Sequence, residues 1–189
     1  MNPDISVVVI NWNGRAYLNA CLESLARQEG ADFEVIVVDN GSCDGSREMV
    51  QSDFVPRKDF RVQLIANEEN RGFCAANNQG FAVARGKFIA ILNNDTEVVP
   101  GFLAALRRAF NISPDIGMAA AKVVVFEDPR RIDKVGHLIY PDGQNRGRGT
   151  GEIDRGQYDR VEECLWPDGC AAMYRAEMLE QIGGFDEDL

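Results

Sequence analysis

The chain has 189 residues, 45% of them apolar, and a formal net charge of −10. That length suffices for one buried core at about the usual size of a single domain, while the acidic balance excludes a protein that wraps nucleic acid, which needs a basic face. No stretch approaches the roughly 18 to 20 apolar residues of a membrane span, and Met1 to Ile5 has no signal-peptide character, so a soluble, cytoplasmic protein is expected. The five cysteines form no C-x-x-C pair and are odd in number, which predicts reduced thiols, with Cys21 a small core residue.

Ile5 to Ile10 (ISVVVI) is a short β-branched run with polar flanks, the pattern of a strand buried on both faces. After Asn11-Trp12-Asn13-Gly14 the spacing of Leu18, Cys21, Leu22 and Leu25 predicts a helix over Arg15 to Gln28, ending near Gly30. Phe33 to Val38 reads as the second strand, followed by a short helix through Met49 and Val50 capped by Asp44 or Ser46. Val62 to Ala66 is a third strand, and Phe73 to Arg85 a helix with Gly86 at its C-terminal end. Phe88 to Leu92 is a fourth strand, with Pro100 in the first turn of the helix carrying Leu103, Leu106 and Phe110; Gly117 to Phe126 reads as a fifth. Repeated strand-then-helix units predict an α/β protein with a mostly parallel, doubly wound, Rossmann-like sheet.

The pattern changes after Phe126. Glu127 to Tyr158 is rich in Asp, Arg, Gly and Pro and predicts a mobile excursion or loose hairpin. Glu163 to Trp166 and Cys170 to Tyr174 read as strands around a Pro167-Asp168-Gly169 turn, followed by a helix from Ala176 to Ile182. The expected organisation is one domain in two parts, residues 1–126 and, with the mobile loop, residues 127–189.

Polar turns stand where hydrophobic strands stop, and in parallel α/β sheets such strand ends share one ligand-binding edge. Asp39 can accept hydrogen bonds from a ribose or a base, or simply cap the Asn40-Gly41-Ser42 turn. The first turn lacks G-x-G-x-x-G, which disfavours a dinucleotide. Arg71-Gly72 opens a helix and offers a guanidinium and backbone amides to a phosphate, or forms a plain solvated turn. Asn78 and Gly80 are poor helix formers and imply a polar contact or close packing. Asn93-Asn94-Asp95-Thr96 supplies a carboxylate to Mg²⁺ or Mn²⁺ alongside substrate phosphates, or an N-cap ahead of Pro100. His137, the only histidine, has no ligand-spaced partner and is expected at the surface.

In this order, VVVINWNG, VVDNGSCDGS, NRGFCAANNQG, ILNNDTEV and GGFDE resemble the family 2 glycosyltransferases, above all their bacterial rhamnosyltransferase-like members. The resemblance covers nearly the whole chain from Ile5 and implies the A-type glycosyltransferase fold, a nucleotide-diphosphate sugar donor, a saccharide or lipid-linked acceptor, a divalent metal and inverting transfer. By position it places Asn11, Asp39, Arg71, Asn78 and Asp95 at the donor, with Asp95 as the metal-binding end of the D-x-D motif, and it implies a nucleotide-sugar-binding half over residues 1–126 and the start of an acceptor-side half over 127–189, in one C-terminally incomplete domain. Work in cell-surface polysaccharide synthesis, with the full-length protein cytoplasmic and peripheral at the inner membrane, is the family-level expectation.

Two departures stand out. Asn93 replaces the first Asp of D-x-D, and an amide is a poorer metal ligand than a carboxylate. The family's base lies in an acidic pair downstream of GGFDE, whereas this sequence stops at Leu189. Asp186 and Glu187 are weak substitutes, and a piece of a longer enzyme without its general base is expected. A sugar nucleotidyltransferase is the alternative enzyme, although Asn11 to Arg15 is a poor match to its Gly-rich basic loop; a non-catalytic nucleotide-binding module is the third reading.

Overall fold

The computed structural model describes residues 2–188, so Leu189, the end of the acidic terminal stretch, lies outside it. Six strands form the central sheet: β1 (Ile5–Asn11), β2 (Phe33–Asn40), β3 (Val62–Asn67), β4 (Phe88–Asn93), β5 (Met118–Ala120) and β10 (Ala171–Arg175). Their order is β3-β2-β1-β4-β10-β5. The first four pair in parallel, with Asn11 opposite Asp39 and Ile10 opposite Asn93. The mostly parallel, doubly wound sheet is therefore as expected, closed on one flank by the antiparallel β10.

Alternation along the strands divides the core between two faces. Val7, Val9, Val35, Val37 and Leu92 pack under α1 (Arg15–Ala26), α2 (Ser46–Met49), the π-helical turn Val50–Phe54 and α4 (Phe102–Ala109), which contribute Leu18, Leu22, Met49, Phe54 and Leu103. Val8, Ile36, Val38 and Ile91 pack on the other face under α3 (Phe73–Val83) and α5 (Ala176–Ile182). Burial on both sides explains why these strands read as unbroken apolar runs. Gly80 lets α3 lie flat on β1, since a Cβ there would come within 2.4 Å of Val8 Cγ1.

Several expectations need correction. The stretch Gly117 to Phe126 is two strands in different sheets, β5 in the central sheet and β6 (Lys122–Val124) paired with β7 (Ile132–Val135). Ala121 between them is buried, so the chain leaves one sheet for the other around an anchored residue. Of the two forms expected after Glu127 the hairpin is present, β8 (His137–Ile139) pairing with β9 (Asn145–Gly147), and β7 joins β6 in a further ribbon. Glu163 to Trp166 makes only a single bridge, Trp166 to His137. α3 stops at Val83, because Gly86 turns against the Ser6 backbone, where a Cβ would meet Ser6 N at 2.5 Å. Pro100 precedes α4, which starts after a left-handed Gly101. Gly45, also left-handed, holds the N-cap position of α2 in place of Asp44 or Ser46.

Candidate active site

The carboxyl ends of β1, β2 and β4 meet through side-chain hydrogen bonds. Asn11, fully buried, donates from Nδ2 to Asp39 Oδ2 at 3.0 Å and to Ser42 Oγ at 3.1 Å, while its Oδ1 accepts Asn94 Nδ2 at 2.7 Å. Asp39 is also fully buried; its Oδ1 accepts the Ser42 N–H at 3.0 Å, and the Arg47 guanidinium stands 3.7 Å away. Asp39 and the turn that carries Asp95 thus flank one residue, Asn11. Gly14 makes room for this bridge: a Cβ there would lie 2.1 Å from Asn94 Nδ2. Gly41, at φ +82°, lets the turn after Asp39 pass the Glu69 backbone, to which a Cβ would come within 2.7 Å.

Asn40, the next residue on β2, points to the opposite face and clamps the Arg71 turn. Its Oδ1 accepts the Arg71 N–H and Asn67 Nδ2, both at 3.0 Å, and its Nδ2 donates to Asn70 Oδ1 at 2.8 Å. Adjacent residues on one strand therefore tie both faces of the sheet to the same edge, and the Arg71 side chain is left exposed there. Trp12, 57% exposed, stands beside Asn11 at the rim.

Asp95 is exposed at the same edge. Its charge reaches the Cys21 thiol, which burial first, then Asp95 and Glu97, push up to about 12. Among the described residues no three His, Cys, Asp or Glu side chains gather as a metal cage. One open carboxylate still suits Mg²⁺ or Mn²⁺, which take one or two protein carboxylates and complete their shell with phosphate and water oxygens. The donor set fits a metal that arrives with its substrate.

The other sequence-derived candidates lie elsewhere. Asn78, the sixth of eleven residues in α3, faces the chain after α5: it donates to Phe185 O at 2.8 Å and Glu187 Oε1 at 2.9 Å, and accepts the Phe185 N–H. It is not brought to the Asn11–Asp39 cluster. Glu187 is held by that contact, and Asp186 accepts the Asp188 N–H, so this acidic pair sits midway along α3 and away from the strand ends. His137 is half-buried and engaged: its Nε2 lies 2.8 Å from Asp168 Oδ2, its Nδ1 3.0 Å from Asn145 Oδ1, and its ring stacks on Trp166. The bridging roles of Asn94, Ser42 and Gly14, and the Asp168 cluster, escape a reading by periodicity because each contact joins distant segments.

A cavity of about 930 Å³ opens between α4, β5 and the 158–166 segment and is lined by none of the strand-end polar groups. All five thiols are free, and no helix among the described residues is long and apolar enough to cross a membrane.

Sheet order and strand-end polarity together define an A-type glycosyltransferase fold. Over its full length the chain superposes on a mannosyltransferase from Pyrobaculum calidifontis, solved in complex with GDP-Man and Mn²⁺, with a TM-score of 0.72 at 22% identity, covering 49% of that chain. Residues 6–183 match glycosyl transferase family 2, and the chain belongs to that family. An uncharacterized Mycobacterium tuberculosis protein, MT1568, is 30% identical over 99% of the chain and 58% of its own length. The succinoglycan biosynthesis protein ExoO of Rhizobium meliloti is 41% identical over 52% of the chain and 27% of its own length. The chain therefore spans a little over half, or less, of these relatives.

Proposed function

We propose that the chain carries the donor site of an inverting glycosyltransferase, which moves a sugar from a nucleotide-diphosphate sugar to the hydroxyl of a saccharide or lipid-linked acceptor. Residues 1–126 supply the donor side and 127–189 begin the acceptor side. The setting is cell-surface polysaccharide synthesis, in the cytoplasm at the inner membrane. One observation carries the reading: the Asp39–Asn11–Asn94 bridge, which gathers three strand ends beside the exposed Asp95.

In this reading each residue has a defined task. The Asp39 carboxylate takes a hydrogen bond from a base N–H or a ribose hydroxyl. Trp12 offers a flat exposed face for the base. Arg71, held by Asn40, contributes a planar cationic fork to the diphosphate. Asp95 would hold the Mg²⁺ or Mn²⁺, which when bound stabilises the charge growing on the departing diphosphate. The acceptor oxygen bonds to the anomeric carbon as the bond to the diphosphate oxygen breaks, and the acceptor proton passes to a base. Asp186 and Glu187 are engaged away from the strand ends, and neither is given that role.

Calorimetric titration of the chain with UDP, GDP and their sugar conjugates, with and without Mn²⁺, tests the proposal. Saturable binding of at least one of them, strengthened by Mn²⁺ and weakened by Asp39→Asn, is the expected result. A folded sample that binds none of them contradicts it.

A further inference from the structure

Asp168 stands where the two donor turns approach each other. The Cys170 carbonyl accepts the Asn93 N–H at 2.9 Å, which ties the loop carrying Asp168 to the Asn93–Asp95 turn. On its other side, a Cβ on Gly169 would lie 3.4 Å from the ring of Phe73, the residue that follows Arg71-Gly72. Loop 167–170 therefore touches both segments assigned above to the diphosphate, and the group bonded to that diphosphate is the sugar.

The carboxylate is fixed before any ligand arrives. Its Oδ1 accepts the Cys170 N–H at 2.9 Å, and its Oδ2 faces His137 Nε2 at 2.8 Å and Lys134 Nζ at 3.3 Å. Asn145 and Trp166 lock the His137 ring from its other sides. The Cys170 thiol also bonds this carboxylate, and the Asp168 side chain keeps 19% of its surface open. Lys134 bonds Asp133 and Asp168 with two of its N–H groups and has a third to give. An exposed carboxylate edge beside a lysine with an N–H to give suits a sugar hydroxyl, which both donates and accepts.

We propose that Asp168, held by His137 and supported by Lys134, binds a hydroxyl of the transferred sugar and so takes part in choosing which sugar is moved. The inference rests on the nucleotide-sugar reading above and assigns to it a residue outside the family motifs in this sequence.

The test compares free nucleotides with nucleotide sugars. UDP, GDP, UDP-glucose, UDP-N-acetylglucosamine and GDP-mannose are titrated with Mn²⁺ into the unaltered chain and into Asp168→Asn, whose near-identical shape spares the loop. The expected result is a loss of about tenfold for the bound nucleotide sugar, in line with a hydrogen bond to a charged group, and less than about twofold for its free nucleotide. The unaltered chain is also titrated with the 3-deoxy and 4-deoxy forms of the tightest-binding nucleotide sugar. One of the two should bind about tenfold more weakly, and Asp168→Asn should no longer distinguish it. Equal losses for nucleotide and nucleotide sugar, no loss for either, or deoxy forms bound as well as the parent overturn the assignment while leaving the donor site standing. Failure of the unaltered chain to bind any nucleotide overturns both.

Discussion

Two buried carboxylates on the same strand, Glu34 at the start of β2 and Asp39 near its end, face opposite edges of the sheet and have different surroundings. Glu34 is closed by its own chain: Ser6 Oγ donates at 2.8 Å, the Arg85 N–H at 3.1 Å and Arg85 Nε at 3.0 Å, and the Arg85 guanidinium completes an ion pair. Asp39 is held mainly by an amide and a backbone N–H, with its nearest cation at 3.7 Å, and its neighbours at the edge include the exposed Asp95, Arg71 and Trp12. Burial alone does not identify a working carboxylate. What distinguishes the two is how closely the protein has already supplied the counter-charge.

The largest expected effect comes from removing an uncommitted charge at the carboxyl edge. Asp95→Ala is expected to lower Mn²⁺-dependent nucleotide affinity about 100-fold by calorimetry. Its melting temperature should move by no more than about 2 °C, as for other exposed positions. A large loss of stability with unchanged affinity would erase the distinction between the edges.

The opposite edge should respond in the opposite sense. Glu34→Gln is expected to cost about 1–2 kcal/mol in urea unfolding, because Arg85 is left partly unpaired in a rim position that solvent still screens, with nucleotide affinity unchanged. Burial opposes the Glu34 charge, but the Arg85 and Ser6 hydrogen bonds outweigh it and hold the carboxyl below its ordinary 4.5. Its stabilising contribution is therefore complete above that ordinary value and fades as pH falls through the lower folded value. The stability gap between the unaltered protein and Glu34→Gln should be constant from pH 5 to 7 and narrow on acidification below about pH 4. A gap that widens in acid would contradict the sign.

The smallest effect sharpens the comparison at a residue with no charge. Gly14→Ala is expected to push Asn94 off Asn11 and weaken nucleotide binding about fivefold, as for the loss of one hydrogen bond, with little change in melting temperature. Equal affinity for Gly14→Ala and the unaltered chain would detach Asn94 from the site.

Much of this architecture was legible in the residues, for a physical reason. Each parallel strand is an apolar run that stops at a polar turn, so Asn11, Asp39 and Asp95 could be placed at one edge by strand direction alone. The direction of β10 was not legible, since nothing in Ala171 to Arg175 marks it as antiparallel. The pairings within residues 122–147 were only partly legible, because strands of three or four residues, rich in Arg, Asp and Gly, show no period and are stabilised by cross-strand pairing that local pattern does not carry. That Asn78 meets Phe185 and Glu187 was not legible, because helix position does not reveal which neighbour a side chain meets. His137 was read as exposed because its partner Asp168 lies 31 residues away. Burial would raise the Asp168 carboxyl, yet the Cys170 and His137 hydrogen bonds and the Lys134 charge hold it well below the usual carboxylate range; no stretch of sequence around Pro167-Asp168-Gly169 announces that.

The most direct test of the central claim uses the paramagnetism of Mn²⁺. With the tightest-binding nucleotide diphosphate present, trace Mn²⁺ should broaden the amide signals of Asn93 to Thr96 and Arg71 to Phe73, while Ser6, Glu34 and Lys87, roughly 20 Å away along the strands, stay sharp. Broadening centred on Ser6 and Glu34, or spread evenly over the chain, would contradict the account.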